Sequence, residues 1–265
     1  MNSTLPHEAN SMGSPVRGAP VRQGNRSDLG PVAGAMPTMR PTLPGAGQFI
    51  PEHASLPMLR EAVQSCRGCE LYLHATQAVL GEGPPRTELI LVGEQPGNEE
   101  DLEGRPFVGP AGRLLNRALE EAGIERLRVY VTNAVKHFKF EERGKRRIHK
   151  KPSVAEVRAC RPWLEAEIGL VKPAVIGCLG ATAAQSLLGN EFRLTRDRGR
   201  AIEFLGRCAV ATVHPSAILR APDAEQREAE YQRFVSDLRV MRRLIGQSRT
   251  GKDSGGSGAA SGHER

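Results

Sequence analysis

The feature that most constrains this chain is a rhythm: short apolar runs of strand character alternate with segments whose apolar residues fall at helical spacing. ELILVG (88–93), RVYVTNAV (128–135), AVIGCLG (174–180), AIEFL (201–205) and CAVATVH (208–214) read as strands. Between the first two, PAGRLLNRALEEAG (110–123) puts Leu114, Leu115, Ala118, Leu119 and Ala122 on one helical face, with Pro110 near its start and Gly123 at its end. The segment 153–171 opens with Ser153 and Glu156 at capping-box spacing. A short helix follows over TAAQSLLG (182–189), and a long amphipathic one over about 224–245. Strands alternating with helices imply an α/β fold in three α/β/α layers, with a central, mostly parallel sheet. In such folds ligands sit beyond the C-terminal ends of the strands. The polar signals gather there: GEQPG after the first strand, TNAVKH after the second, HPS after the last.

The 265 residues divide unevenly around this pattern. Residues 1–48 are rich in Pro, Gly, Arg and Ser without apolar periodicity, and the expectation is a disordered basic tail. Residues 55–245 read as one domain, and 246–265 as a second, Gly/Ser-rich disordered tail. Mean hydropathy is −0.39 and no apolar run approaches the roughly 18 residues that span a bilayer, so no membrane partner is expected. The first residues lack the apolar stretch of a secretory signal, which predicts an intracellular, cytoplasmic protein. Five cysteines are too few and odd in number for a disulfide framework.

Three stretches carry candidate chemistry. GEQPGNEEDLEGRPFVGPAG (93–112) is a long Gly/Pro-punctuated loop between a strand and a helix, with Glu94, Gln95 and Asp101 as polar groups at the strand's end. It matches neither the phosphate-cradling G-x-x-x-x-G-K-[ST] pattern nor G-x-G-x-x-G, so a nucleotide cofactor is a poor reading. Cys66 and Cys69 form a C-x-x-C, a spacing shared by zinc sites, redox pairs and iron–sulfur ligands. Cys178 and Cys208 sit inside apolar strand runs and read as core. Finally KHFKFEERGKRRIHKK (136–151) carries eight Lys/Arg, two His and two Glu. Such a run either binds a phosphate backbone or is a solvated, flexible loop.

Taken in order, GEQPG, GRPFVGPAG, TNAVKH, the KRRIH segment and HPS closely resemble the uracil-DNA glycosylase superfamily over about residues 60–245. Within it, they resemble family X, a relative of the iron–sulfur family 4 enzymes. GRPFVGPAG is shared with family 4, whereas GEQPG together with KRRIH marks family X. The resemblance implies a uracil-DNA glycosylase-like fold, uracil-containing DNA (single-stranded DNA among its forms) as partner, and a role in DNA damage recognition or repair. It also implies a [4Fe–4S] cluster. Family 4 places a cluster cysteine directly after the lysine of TN-x-V-K, and here that position is His137. The implied ligand set is therefore Cys66, Cys69, His137 and Cys160.

The resemblance further implies a role for each pocket residue. Phe107 matches the phenylalanine that stacks on uracil, and Asn133 the residue that pairs with it, with Gln95 in the same wall. A carboxamide offers an acceptor for uracil N3–H and a donor for O4, a pattern cytosine reverses. His214 matches the histidine that steadies the charge developing at uracil O2. Glu94 corresponds to the acidic residue that directs water or stabilises the sugar cation. His149, in KRRIH, matches the family X histidine that attacks C1′ and stays bonded to the DNA, giving a single-turnover enzyme. Lys145, and Ser216 with the backbone amides that follow it, are expected to grip phosphates, and Arg146 and Arg147 to contact phosphates or position the loop. Two alternatives stand beside this reading: a turnover glycosylase of the family 4 kind using Glu94 and water, and a non-catalytic module that binds the lesion. Asn98 departs from the acidic residue that relatives often carry, which bears on how Gln95 or His149 is held.

Overall fold

The structure, a computed structural model, describes residues 43–253, with side chains described to 248. The main sheet is built of β1 (Leu89–Gly93), β2 (Val129–Asn133), β5 (Val175–Leu179), β6 (Ala201–Phe204) and β7 (Arg207–Thr212) in the order β2-β1-β5-β7-β6. β2, β1, β5 and β7 are mutually parallel, and β6 closes the edge antiparallel to β7. β3 (Phe140–Arg143) and β4 (Arg146–His149) form a separate antiparallel hairpin. The helices are α1 (Leu56–Ala62), α2 (Asn98–Glu103), α3 (Pro110–Glu121), α4 (Val154–Val171), α5 (Ala181–Leu188), α6 (Leu194–Asp197), α7 (Pro215–Leu219) and α8 (Ala224–Asp253).

Strand pleating sorts the core into two layers. Leu89, Leu91, Val129, Val131, Val175 and Val210 pack with α3 and α8 through Leu115, Leu119, Phe234 and Leu238. Their neighbours Ile90, Val92, Tyr130, Ile176 and Ala209 face the opposite way, onto Leu164 and Ile168 of α4 and Ala183 and Leu187 of α5. Burial on both faces is what makes these strands read as continuous apolar runs. A third cluster, around Trp163, Leu59, Val63 and Leu80, joins the start of the domain to α4. No helix among the described residues is long and apolar enough to cross a membrane.

The expected strands and the helices over 110–123 and 153–171 are present within a residue or two, and Ser153 and Glu156 exchange the bonds of a capping box. Three expectations need correction. Residues 43–48 are not a free tail: Ala46 N–H donates to Ala159 O at 2.8 Å and Gly45 N–H to Gly68 O at 3.0 Å, so this stretch is docked. The expected tail at residues 1–42 lies outside the described residues, as do 254–265, and α8 runs past the expected end at 245 as far as Asp253. The basic run is not a flexible loop but the β3–β4 hairpin, turned at Gly144 (φ 59°).

Strand order also fixes where a ligand belongs. The chain leaves β1 for β2 on one side and later returns to β5 on the other, so the crevice at the C-terminal end of β1 is the switch point of the sheet. Glu94, Asn133, Thr182 and His214 all lie at or just beyond C-terminal strand ends.

Candidate functional site

Two side chains close over Gly93, the last residue of β1. A Cβ there would stand 2.3 Å from Asn133 Oδ1 and 2.9 Å from Phe107 Cζ, so the ring tip and the carboxamide converge over a residue that can have no side chain. Asn133 ends β2 and is 3% exposed. Phe107 holds a left-handed backbone (φ 58°), a conformation that costs a non-glycine residue about 1–2 kcal/mol. Its surroundings enforce it: Gly112 of α3 approaches so closely that a Cβ would fall 1.7 Å from Phe107 O. Glu100 ties the two glycine-rich stretches together, accepting from Gly97 N–H at 3.0 Å and Gly109 N–H at 2.9 Å.

His214 lies beside Phe107, ring centroids 6.1 Å apart and 28° between planes. Ser216 N–H donates to His214 Nδ1 at 3.2 Å, and Ser216 Oγ stands 2.8 Å from the same nitrogen. An Nδ1 that accepts leaves the proton on Nε2, so the ring presents a donor on its other side. Burial pushes the His214 imidazole down to about 4, and the charges of Arg220 and His149 push the same way. The ring is therefore neutral near pH 7 with a fixed tautomer. Ser216 was expected on a phosphate; its hydroxyl is instead committed to His214, because the His-Pro-Ser turn caps α7 with its own side chains.

His149 ends β4, half exposed, with Nε2 3.6 Å from Glu94 Oε1. That is ion-pair distance, too long for a hydrogen bond. Burial lowers the His149 pKa, Glu94 opposes, and Arg220 adds to the lowering. The other carboxylate oxygen of Glu94 accepts from the Thr182 hydroxyl at the start of α5. Arg220, at the end of α7, thus acts on both imidazoles, although no motif pointed to it.

What holds the hairpin differs from expectation. Gln95 is buried and spends its whole carboxamide there: Oε1 accepts from Lys139 N–H at 3.0 Å, and Nε2 donates to Lys139 O at 3.1 Å and Lys150 O at 2.9 Å. Its side chain clamps the two residues that flank the hairpin, which leaves only its main chain for a base. Lys139 also pairs with Glu156 of α4 at 2.8 Å. Arg147, expected to contact phosphate or to position the loop, folds inward. Its Nη1 donates to Asp101 Oδ2 at 2.6 Å and Thr76 Oγ1 at 3.1 Å, and its Nε to Asn98 Oδ1 at 2.7 Å. The guanidinium lies 5.5 and 5.0 Å from the centres of the Phe138 and Phe140 rings. Arg147 is a latch between hairpin and α2, and Asn98 is part of its catch. Lys145 and Arg146 remain exposed at the hairpin tip, where a phosphate backbone could reach them.

Behind Asn133 lies a charged pair that the sequence concealed. Lys136 and Glu167 are both fully buried, Nζ to Oε2 2.5 Å. Glu167 also accepts from Gly81 N–H at 2.7 Å, Tyr130 Oη at 2.9 Å and Thr132 Oγ1 at 2.9 Å. Burial and the Glu167 charge hold the Tyr130 phenol well above its usual range.

Cys66, Cys69 and Cys160 share the third core cluster. Trp163 Nε1–H donates to Cys66 Sγ and Lys136 N–H to Cys160 Sγ, each at 3.2 Å. Burial pushes the Cys160 thiol up to about 12 and raises Cys69 as well. His137, next in the chain after Lys136, is buried and pushed down to about 4, which keeps its imidazole neutral. Among the described residues, no three His, Cys, Asp or Glu side chains converge as one bound ion requires. N–H donors on two sulfurs in an apolar pocket are nonetheless a donor chemistry that suits thiolate ligation of a cluster. Cys178 is core, buried in the α4/α5 layer, as expected.

Fold and site together define an α/β protein in which an aromatic ring, a carboxamide, a carboxylate and two imidazoles gather at the C-terminal strand ends, beside a basic hairpin. Residues 80–239 match the uracil DNA glycosylase superfamily. A type-4 uracil-DNA glycosylase of Thermotoga maritima is 41% identical over 64% of this chain and 86% of its own length. Those of Sulfurisphaera tokodaii and Archaeoglobus fulgidus are each 35% identical, over 70% and 73% of this chain and 86% and 94% of theirs. The chain belongs to the uracil DNA glycosylase superfamily and is related to its type-4 members.

Proposed function

We propose that this protein excises uracil from DNA and becomes covalently bonded through His149 to the deoxyribose left behind. The observation that carries the reading is the placement of a neutral imidazole on the hairpin, its Nε2 3.6 Å from Glu94, at the strand end where Phe107 and Asn133 also meet. The type-4 relatives carry uracil-DNA glycosylase in their names, which supports the base-excision half.

In this mechanism the nucleotide leaves the stack and uracil lies against Phe107. Asn133 Oδ1 accepts from N3–H and its Nδ2 donates to O4. The C1′–N1 bond breaks with its electron pair passing to the base, and His214 Nε2–H meets the charge at O2 where it develops. Glu94 faces the cationic sugar. With its proton on Nδ1 the His149 ring keeps its lone pair on Nε2, the nitrogen that stands 3.6 Å from Glu94 Oε1. Nε2 forms the new bond to C1′, the imidazolium sheds its Nδ1 proton to solvent, and the uracil anion takes a proton from water. Because no water has attacked C1′, the product stays on the protein and turnover ends. A [4Fe–4S] cluster held by Cys66, Cys69, His137 and Cys160 would supply a rigid tie among the domain's start, the end of β2 and α4. Lys145 and Arg146 grip the phosphate backbone.

The competing reading is a turnover enzyme in which Glu94, still open to solvent, directs water. The test is a single-uracil oligonucleotide, boiled in SDS with the protein and run on a denaturing gel beside His149→Ser and a thymine control. A uracil-dependent adduct that His149→Ser abolishes is expected. Free uracil beyond one equivalent with no adduct would establish the turnover reading; neither product would leave only a lesion-binding module.

A further inference from the structure

The main-chain carbonyl of Asn133 is the last of β2 and has no place in the sheet ladder. The chain turns sharply after it, Ala134 N–H going to Gly93 O at 2.9 Å and Val135 N–H to Glu94 O at 3.0 Å. The Asn133 carbonyl is buried, where an unsatisfied acceptor is costly. Its partner is the Lys136 ammonium, at 2.6 Å. That ammonium is itself fixed by Glu167 and by Thr132 Oγ1 at 2.8 Å, while Glu167 is fixed by Gly81, Tyr130 and Thr132. Every donor of the ammonium has an acceptor, so it has one position.

We infer that Lys136 is a positioning residue for base recognition: through the Asn133 carbonyl, the buried Lys136–Glu167 pair sets the plane in which the Asn133 carboxamide meets uracil. The inference rests on the reading of Asn133 as the base-pairing residue. A hydrophobic pair of the same volume would stabilise the fold as well as a buried ion pair or better, so stability alone does not account for a lysine here. What an apolar residue could not do is hold a carbonyl oxygen. Only a cation on a long stem reaches back from position 136 to 133 and across to α4 at once. The same residue's N–H lies on Cys160 Sγ at 3.2 Å, so one residue joins the thiol pocket to the base slot.

The test compares the full-length protein with Lys136→Met/Glu167→Gln, a double change that removes both charges together and keeps side-chain size. Glutamine still accepts from Gly81 N–H and no unpaired ion is left, so the variant is expected to melt cooperatively, at a Tm lowered only by the bared Asn133 carbonyl. Excision is measured under single-turnover conditions on oligonucleotides carrying uracil or 4-thiouracil, whose sulfur is a weak acceptor at the position Asn133 reads. In the wild type the sulfur substitution is expected to slow excision about tenfold, one hydrogen bond's worth. In the double variant uracil excision is expected to fall about ten- to a hundredfold, and the sulfur penalty to shrink below about twofold, because a displaced carboxamide no longer reads that atom. A structural role alone would slow both substrates equally, and an undiminished sulfur penalty overturns the proposal. Asn133→Ala separates the two levels of the argument. If it leaves uracil excision intact, the reading of Asn133 falls and the positioning falls with it. If it abolishes excision while the double variant behaves as wild type, the positioning alone is wrong.

Discussion

Replacing Arg147 with alanine separates a latch from a phosphate contact. The guanidinium side chain is 18% exposed and its partner Asp101 is 0% exposed. Removing one member of a buried pair costs about 3–5 kcal/mol when the other is left bare. Asp101 is not left bare, because both its oxygens still accept from Thr76 N–H, at 3.0 and 3.1 Å. The loss should fall to about 2–3 kcal/mol, or about 5–10 °C in Tm for a domain of this size. The hairpin would stay attached at its base through Gln95 and Lys139, but its outer half would lose the bonds to Asn98 and Thr76. His149 sits on that strand, and a displacement of about 1 Å in a reacting group costs on the order of a hundredfold. Adduct formation should slow by about ten- to a hundredfold, with hydrogen exchange in 140–149 accelerated. The salt dependence of DNA binding should keep its slope, since no phosphate contact is lost. Arg146→Ala should do the reverse, lowering the slope by about 0.7–0.9 while the Tm and the adduct rate at saturating DNA hold. If Arg147→Ala lowered the salt slope and left Tm and adduct rate intact, the latch would be wrong and Arg147 would belong on the phosphates.

Asn98→Asp adds a charge 2.7 Å from Arg147 Nε and at the first residue of α2, so it should raise stability by about 0.5–1 kcal/mol in urea titrations without slowing adduct formation; destabilisation would contradict the assigned catch. His214 titrates near 4 in the native state against 6.5 unfolded, so the unfolded chain takes up the proton first as pH falls. Stability should be lost between pH 6.5 and about 4, by up to about 3 kcal/mol, and His214→Asn should flatten that fall; parallel urea titrations at pH 7 and 4.5 that show equal losses would refute the buried, neutral ring. Protein purified anaerobically should be brown and contain iron, and Cys160→Ser should lose both; a colourless, zinc-loaded wild type would sink the cluster assignment.

What was legible in the sequence was whatever burial writes as a pattern. β1, β2, β5 and β7 are covered on both faces and so appear as unbroken apolar runs, while α3 shows its one buried face at helical spacing. The hairpin escaped because its inner face is not apolar in the sequence. Phe138 and Phe140 are covered by the guanidinium of Arg147, so a packed surface is spelled with an arginine amid six other cations between positions 139 and 151. Residues 43–48 escaped for a related reason: Gly45 and Ala46 are held by main-chain bonds, which leave no trace in composition. Phe107 and Asn133 were singled out by motif, yet what supports them was not. Glu167 lies 31 positions from Lys136, and charges in a sequence are read as solvated until a structure brings them together.

In the proposed mechanism the two histidines of the site need neutrality for different reasons, and shared means serve both. There His149 would keep a lone pair to attack carbon, so protonation would abolish that role. His214 would still donate if protonated, but its neutral ring with Nδ1 accepting from Ser216 keeps a single donor on one side. Beside a carboxylate, His149 on its own would drift toward the charged form, since Glu94 raises its pKa. Thr182 moderates this by taking one oxygen of Glu94, and Arg220 adds a positive charge that both rings sense. The arrangement lets Glu94 face a cationic sugar without first capturing a proton on the nucleophile. It also accounts for the hairpin's construction. A nucleophile that must be neutral, half exposed and yet fixed gains no anchorage from a strong salt bridge of its own, so anchorage comes from the residues around it, Gln95 at the base and Arg147 on the same strand.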